Sequence, residues 1–512
     1  MKVRLLHPEN DEPLTPKLPT ALGLMVEADL GHDALYEAMA NGDPYLNETA
    51  RKVILSSVLE PAVINYRQQV YADVIANHAV VAQMYDVAVR AEQVQRRIFL
   101  GGLTSHHPTT ILHRAVHLLQ LLTDDLQELR TIGDRSGSQF DSTGFRQFWA
   151  MVIDQVDDIY LAQVRAELAE LEMPRGTVFS AQLGPGNKGI RYRPHRAERS
   201  GGWLGRLRGG HDRSGLGFTI DDRDEAGSDA LTNLAGRAVN ELANTASQAS
   251  DHVRAFFMRL RCELGFYLGC HHLHARLSRA GIPVCMPTPL PMVPRRLQCT
   301  DLRDIALCLN TDRGTVGNTI NADGKTLLVV TGANEGGKST FLRSVGSAQL
   351  MMQAGMFVVG RAFAGSTADG VYTHFKREED ANLSHGKLDE ELGRMSTIAD
   401  TIGLGGLLLC NESFASTTER EGSQISVGII DAFTEAGINV VFVTHLYELA
   451  DTLYRRGRPD YLFLRAQRAQ DASRTYRVTE APPAPTSHGL DSFARVFGRS
   501  VNSAPLYCPD PR

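Results

Sequence analysis

Three short stretches in the C-terminal half of this chain carry residue types that can handle a polyphosphate. The first is GANEGGKST, Gly332 to Thr340. Its spacing is G-x-x-x-x-G-K-[ST], with Gly332, Gly337, Lys338 and Ser339 at the fixed positions. Glycines let backbone N–H groups curl around phosphate oxygens. A helix opening at this point adds partial positive charge. Lys338 has the reach for β- and γ-phosphates, and the Ser339 hydroxyl suits Mg²⁺. Gly332, Asn334, Gly336, Gly337, Lys338, Ser339 and Thr340 are therefore the expected nucleotide-binding residues. The loop stands between an apolar strand, LLVVT, and the helical FLRSVGSAQLMM, which is the context the motif needs. The guanine-reading [NT]-K-x-D is absent: Asn187-Lys188-Gly189-Ile190 fails at its last position, which points to ATP.

The second stretch is LLLCNE, Leu407 to Glu412, a buried strand ending in two polar residues. Glu412 is placed to orient or deprotonate an attacking water. Where nucleotide hydrolases carry an Asp, Asn411 keeps an oxygen acceptor but no negative charge. Mg²⁺ retains its water shell and needs few protein ligands. Ser339 and Asn411 are thus the expected metal-side residues, Asn411 through a water. The third stretch is Val443-Thr444-His445, where a strand-end His can sense a γ-phosphate. Glu412 and His445 form the expected catalytic pair. Between the loop and the acidic strand, Leu383-Ser384-His385-Gly386-Lys387 resembles the L-S-G-G-Q signature of ABC-type ATPases. Such a Ser-Gly turn offers N–H groups to a γ-phosphate on the opposite subunit. Ser384 and Gly386 would then complete a neighbour's site, which implies a homodimer with composite ATP sites.

Taken together, G-A-N-x-G-G-K-S-T-F-L-R, the Ser384-to-Lys387 segment followed by Leu388-Asp389-Glu390-Glu391, and T-H-x-x-E-L from Thr444 to Leu449 resemble the ATPase domain of the MutS family. The resemblance covers roughly residues 290–498. Ser487-His488-Gly489 is similar to the segment that opens the family's dimerising helices. The resemblance implies a DNA mismatch-recognition ATPase of the ABC superfamily, with ATP and Mg²⁺ as cofactors and DNA as partner. Three departures accompany it. The family's N-terminal mismatch-reading domain, with its Phe-x-Glu wedge, has no counterpart in these residues. A full clamp domain is missing, unless residues 176–222 are a reduced one. The family's Asp-Glu pair is Asn411-Glu412.

The elements that must position these residues follow from the apolar pattern. From about Leu46 to Thr131 apolar residues recur at three- and four-residue spacing, punctuated by Pro61 and Pro108. A further helix is expected from about Thr143 to Leu171, stopped by Pro174. Gly176–Leu183 and Gly189–Arg193 read as short strands around the turn Gly184-Pro185-Gly186-Asn187. From Asp224 to Ala280 there is no Pro and the helical period runs throughout. That predicts one strut on the order of 80 Å, with two helices broken near Gly265 or Gly269 as the alternative. Within it, Cys270 and His274 lie one helical turn apart, half of a metal site at most, and packing is the preferred reading. After Pro283 the texture turns α/β. Strands at Thr326–Thr331, Leu407–Cys410 and Asn439–Thr444 alternate with helices and predict a mostly parallel sheet. Asp460–Arg465 and Arg474–Thr479 read as a further pair, and His488–Gly498 as a last helix.

The bulk numbers bound these readings. The 512 residues allow two to four domains. The net charge of −6 means that nucleic acid would be met by a local basic patch. Lys188 to Arg213 supplies one, with eight Lys or Arg against two acids. Seven Cys without C-x-x-C spacing suit reduced thiols in a cytoplasmic protein. The N-terminus, MKVRLLHPENDEPLTP, is no signal peptide, and no apolar run approaches a membrane span. The expected architecture is an α-helical core and lever region at 1–289, with a Gly/Arg-rich β insert at about 176–222. A P-loop ATPase domain of MutS type follows at 290–500, then a loose tail at 501–512. The expected function is ATP-driven switching of helical arms around DNA. The rivals are a nucleotide-gated scaffold with little hydrolysis, motivated by Asn411, and an ABC transporter subunit, which the long N-terminal arm disfavours.

Overall fold

The structure is a computed structural model that describes residues 1–9, 15–100, 107–172, 178–185, 189–195, 224–311, 314–333, 336–377, 386–468 and 474–484. The expected last helix at His488–Gly498, the Ser487-His488-Gly489 segment and the tail at 501–512 lie outside the described residues. The chain forms two compact units, Met1–Leu5 with Asn77–Leu264, and Leu6–Ala76 with Gly265–Arg512. The first helices of the chain group with the α/β part, and the units divide inside the long helix.

The first unit is helical. Its helices are His78–Leu100, Pro108–Ser136, Thr143–Gln155, Asp158–Leu171 and the part of Glu225–Arg279 that runs up to Leu264. Pro108 opens its helix at the first position, where a missing N–H costs nothing. The expected single helix over 143–171 is two helices. Asp157 separates them and caps the second, its carboxylate accepting from the Tyr160 amide at 2.6 Å. Leu112, Val116, Leu168, Val239, Ala243 and Ala246 bury together as one cluster of its core. The paired strands Val178–Leu183 and Gly189–His195 run antiparallel, as the turn signal predicts.

Glu225–Arg279 is one continuous 55-residue helix, the unbroken strut that the helical period favours, and the alternative break near Gly265 or Gly269 does not occur. A Cβ on Gly269 would lie 3.4 Å from the Met39 side chain, in ordinary van der Waals contact. Cys270 is fully buried and His274 packs edge-on against Phe357, ring centroids 5.4 Å apart. No group of three or more metal-ligating side chains occurs among the described residues.

In the second unit, helices Thr20–Leu30, Asp33–Ala40, Pro44–Leu55 and Pro61–Ala76 precede an α/β region. Its central sheet has six strands in the order Val371–Phe375, Leu407–Asn411, Asn439–Val443, Leu327–Thr331, Tyr461–Arg468, Arg474–Glu480. The first five run parallel and the last antiparallel. All five residues of Leu327–Thr331 are buried, as expected of a strand covered on both faces. A second sheet, with strands Thr288–Leu290, Leu297–Leu302, Asn318–Asn321 and Ala362–Ser366, was not legible in the apolar pattern. Its strands are short and alternate buried with exposed residues over only three to six positions. The fold is thus a helical N-terminal region followed by an α/β domain with mixed sheets.

Candidate functional site

The candidate residues gather where three parallel strands end. Leu327–Thr331 runs into Gly332, Leu407–Asn411 into Glu412, and Asn439–Val443 into Thr444-His445. Asn439–Val443 lies between the other two, so the glycine loop and the acidic corner are separated by one strand. The register aligns them: Asn411 pairs with Val443, and Val443 with Val330.

The glycine loop leads into the helix Lys338–Ala354, whose N-terminus lies at the strand ends. Gly337 has φ +91°, and a Cβ on it would meet the Tyr476 carbonyl oxygen at 3.1 Å. At Gly336 a Cβ would lie 2.8 Å from the Ala333 carbonyl oxygen and 2.9 Å from the Ala466 Cβ. A side chain at Gly336 would force the surroundings to shift, and at Gly337 the positive φ disfavours one. Lys338 is buried and folds its Nζ back onto the loop, donating to the carbonyls of Gly332 at 2.8 Å and Ala333 at 3.0 Å. Burial pushes its ammonium below the usual lysine range, and the Glu412 charge pulls it partly back. Thr340 is half-buried in the first turn of the helix. Asn334 and Ser384 lie outside the described residues. Gly386 is described, and caps the helix Lys387–Ala399.

Ser339 Oγ donates to Asn411 Oδ1 at 2.9 Å. This bond brings the loop hydroxyl and the amide together across the intervening strand. Glu412 follows with φ +54°, its amide donating to the Val443 carbonyl at 2.8 Å. Its carboxylate Oε2 lies 3.6 Å from His445 Nδ1. The His445 contact is the main cause that holds the Glu412 carboxyl below the usual glutamate range, with Lys338 and Lys376 adding to it. The carboxylate is therefore ionised near neutral pH and suited to accept a proton or hold a water. Glu412 and His445 are both part-exposed, within reach of a solute.

Sequence reasoning passed over several residues that shape this corner. Lys376 donates its amide to the Asn411 carbonyl at 2.9 Å. Tyr476 lies against Gly337 from the antiparallel edge strand. Glu419 accepts from the amides of Tyr447 at 2.9 Å and Glu448 at 3.3 Å, and so caps the helix Tyr447–Arg455 that follows His445. No motif marks these residues, because the tertiary fold brings them to the site from the end of one strand, from within another and from the start of the helix Glu419–Glu435.

A helical region and an α/β domain, with a lysine-bearing glycine loop and an acidic corner at the parallel strand ends, define the class of this protein. Its family follows from sequence comparison. Residues 60–280 match the MutS2 N-terminal domain, and residues 328–499 match MutS domain V. The chain belongs to the MutS family. It is 31% identical over 176 residues to an Endonuclease MutS2 of Lactiplantibacillus plantarum, covering 33% of this chain and 21% of that protein. Another Endonuclease MutS2, from Leuconostoc citreum, is 24% identical over 263 residues, 49% of this chain and 32% of that one. A mitochondrial DNA mismatch repair protein mutS homolog of Sarcophyton glaucum is 26% identical over 200 residues, 39% of this chain and 20% of that protein. The chain therefore spans between a fifth and a third of the length of these relatives. Among the described residues no helix is long and apolar enough to cross a membrane.

Proposed function

We propose that this chain binds ATP, hydrolyses it slowly and couples its nucleotide state to DNA binding by long helical arms. The observation that carries the reading is the convergence of Lys338, Ser339, Asn411, Glu412 and His445 at adjoining strand ends. In this reading the Gly332–Thr340 loop, with Asn334, Gly336 and Gly337, wraps the phosphates, and Lys338 turns from its own loop carbonyls to phosphate oxygens. Ser339 Oγ and Asn411 Oδ1 are both oxygen donors, a set that fits a hard divalent cation. Mg²⁺ held there supplies charge neutralisation on the β- and γ-phosphates. Glu412 orients the attacking water and takes up its proton, and His445 reads the γ-phosphate. Asn411 keeps one oxygen on the metal side without a negative charge, so turnover is slow but present.

Ser384 and Gly386 complete the site of a second copy, and the working form is a homodimer in the cytoplasm. Residues 1–289 act as core and lever, 290–500 as the ATPase domain, and 501–512 as a tail. DNA contacts come from the lever region and from the basic stretch 188–213, most of which lies outside the described residues. A DNA-processing role akin to mismatch repair fits the relatives, two of which are named as endonucleases and one as a mismatch repair protein. The rival reading, a nucleotide-gated scaffold, draws on Asn411 alone.

The test is an ATPase assay on wild type, Glu412→Gln and Asn411→Asp, with and without duplex DNA. Wild type should exceed Glu412→Gln by on the order of a hundredfold, the scale of general base catalysis. Asn411→Asp should tighten Mg²⁺ dependence. Wild-type turnover no higher than that of Glu412→Gln favours the scaffold instead.

A further inference from the structure

Behind the Asn411-Glu412 corner lies a buried polar network that the proposed reaction leaves unused. Glu412 and Phe414 both have positive φ, +54° and +61°. L side chains rarely adopt that conformation, and it persists only where the surroundings enforce it. Ser413, between them, is fully buried. Its Oγ lies 2.8 Å from the His374 carbonyl oxygen and 2.7 Å from His374 Nδ1. His374 is fully buried in the neighbouring parallel strand, in register with Cys410. On the far side of the ring, Nε2 lies 3.0 Å from the Glu391 carbonyl oxygen, in the helix capped by Gly386. Phe414 covers the ring face, centroids 5.3 Å apart and planes 22° from parallel.

Counting protons fixes the roles. A carbonyl only accepts, so Nε2 carries the hydrogen that faces Glu391. Burial pulls the His374 imidazole down to about 4, with Arg394 adding to the effect, so the ring is neutral at pH 7 and has a single N–H. Nδ1 is then an acceptor, and the Ser413 hydroxyl is its donor. That same hydroxyl proton is shared with the His374 carbonyl. Ser413 is thereby tied to one residue of the adjacent strand at two points.

We propose that Ser413 and His374 are positioning residues for Glu412: the hydroxyl–imidazole pair pins the strained turn that aims the carboxylate. Through Glu391 the pair also ties that turn to the helix following the Ser384/Gly386 segment. The proposal rests on the hydrolase reading above, and neither residue touches the reacting atoms.

The test is steady-state ATPase kinetics on the full chain. The variants are Ser413→Ala, His374→Asn, His374→Leu and Ser413→Ala combined with Glu412→Gln, each checked for folding by thermal melt. Ser413→Ala and His374→Leu should lower kcat roughly ten- to a hundredfold, the scale of a small misplacement of a reacting group. Binding of a non-hydrolysable ATP analogue and KM should stay near the wild-type values. His374→Asn keeps an amide close to the Nδ1 position and should recover most of the rate. In the Glu412→Gln background, Ser413→Ala should have no further effect, because residues acting as a unit are not additive. Wild type no faster than Glu412→Gln would sink the hydrolase reading and this proposal with it. Wild type faster, with Ser413→Ala or His374→Leu equally fast, overturns the positioning role alone. A parallel loss of analogue binding, or an added loss in the Glu412→Gln background, marks a general structural role and overturns it too.

Discussion

At the scale of single residues, the Asn411-Glu412 corner works through its neighbours more than through its own sequence. Asn411 accepts the Ser339 hydroxyl, and Glu412 is held ionised chiefly by His445. A carboxyl whose folded value is depressed keeps its charge above that value and loses it as pH falls through it. The acid limb of the ATPase pH profile should therefore lie below the usual glutamate range. His445→Asn removes the main cause of the depression and should move that limb to higher pH. The measurement is kcat/KM against pH for both proteins. An unmoved limb would mean that Glu412 is not the group that titrates in turnover.

At the scale of elements, helix packing rests on glycine positions that a motif search does not weigh. In Pro108–Ser136, a Cβ on Gly133 would lie 2.8 Å from the Trp149 ring. Trp149 is buried beside Phe148 and Phe140, with ring centroids at 5.1 and 6.0 Å, so a shift of the indole would disturb its packing. Gly133→Ala should therefore destabilise the helical unit by about 1–3 kcal/mol through overpacking, in spite of the better helix propensity of alanine. Chemical denaturation of the two proteins checks this. A stabilised variant would show that the indole yields. Helix boundaries teach the same lesson. The punctuation read at Pro61 and Pro108 coincides with helix starts, whereas the break at Val156-Asp157 depended on a side-chain cap that periodicity cannot register.

At the scale of the whole molecule, the net charge of −6 leaves any duplex binding to local basic clusters. Changing the Arg residues of 188–213 to Ser should weaken duplex affinity and flatten its dependence on salt, by a slope of about 0.9 for each phosphate no longer neutralised. Affinity titrations at several salt concentrations measure this. If neither quantity depends on those residues, DNA is held elsewhere.

Local sequence was enough to mark the loop, the acidic strand, the strand-end His and the strand–helix alternation that carries them. These are short-range patterns: glycine where backbone must turn, apolar runs where strands are buried, a lysine at fixed spacing. The family resemblance travelled with the same contiguous motifs. Tertiary packing settled what those patterns could not: which strand separates the loop from the acidic corner, and that Ser339 reaches Asn411 across it. Packing likewise set Tyr476 against Gly337 and bound Ser413 to His374, residues 39 positions apart. Strand order and side-chain pairing are long-range outcomes of the fold. No residue spacing records them, because parallel neighbours in a sheet are joined by crossovers of many residues.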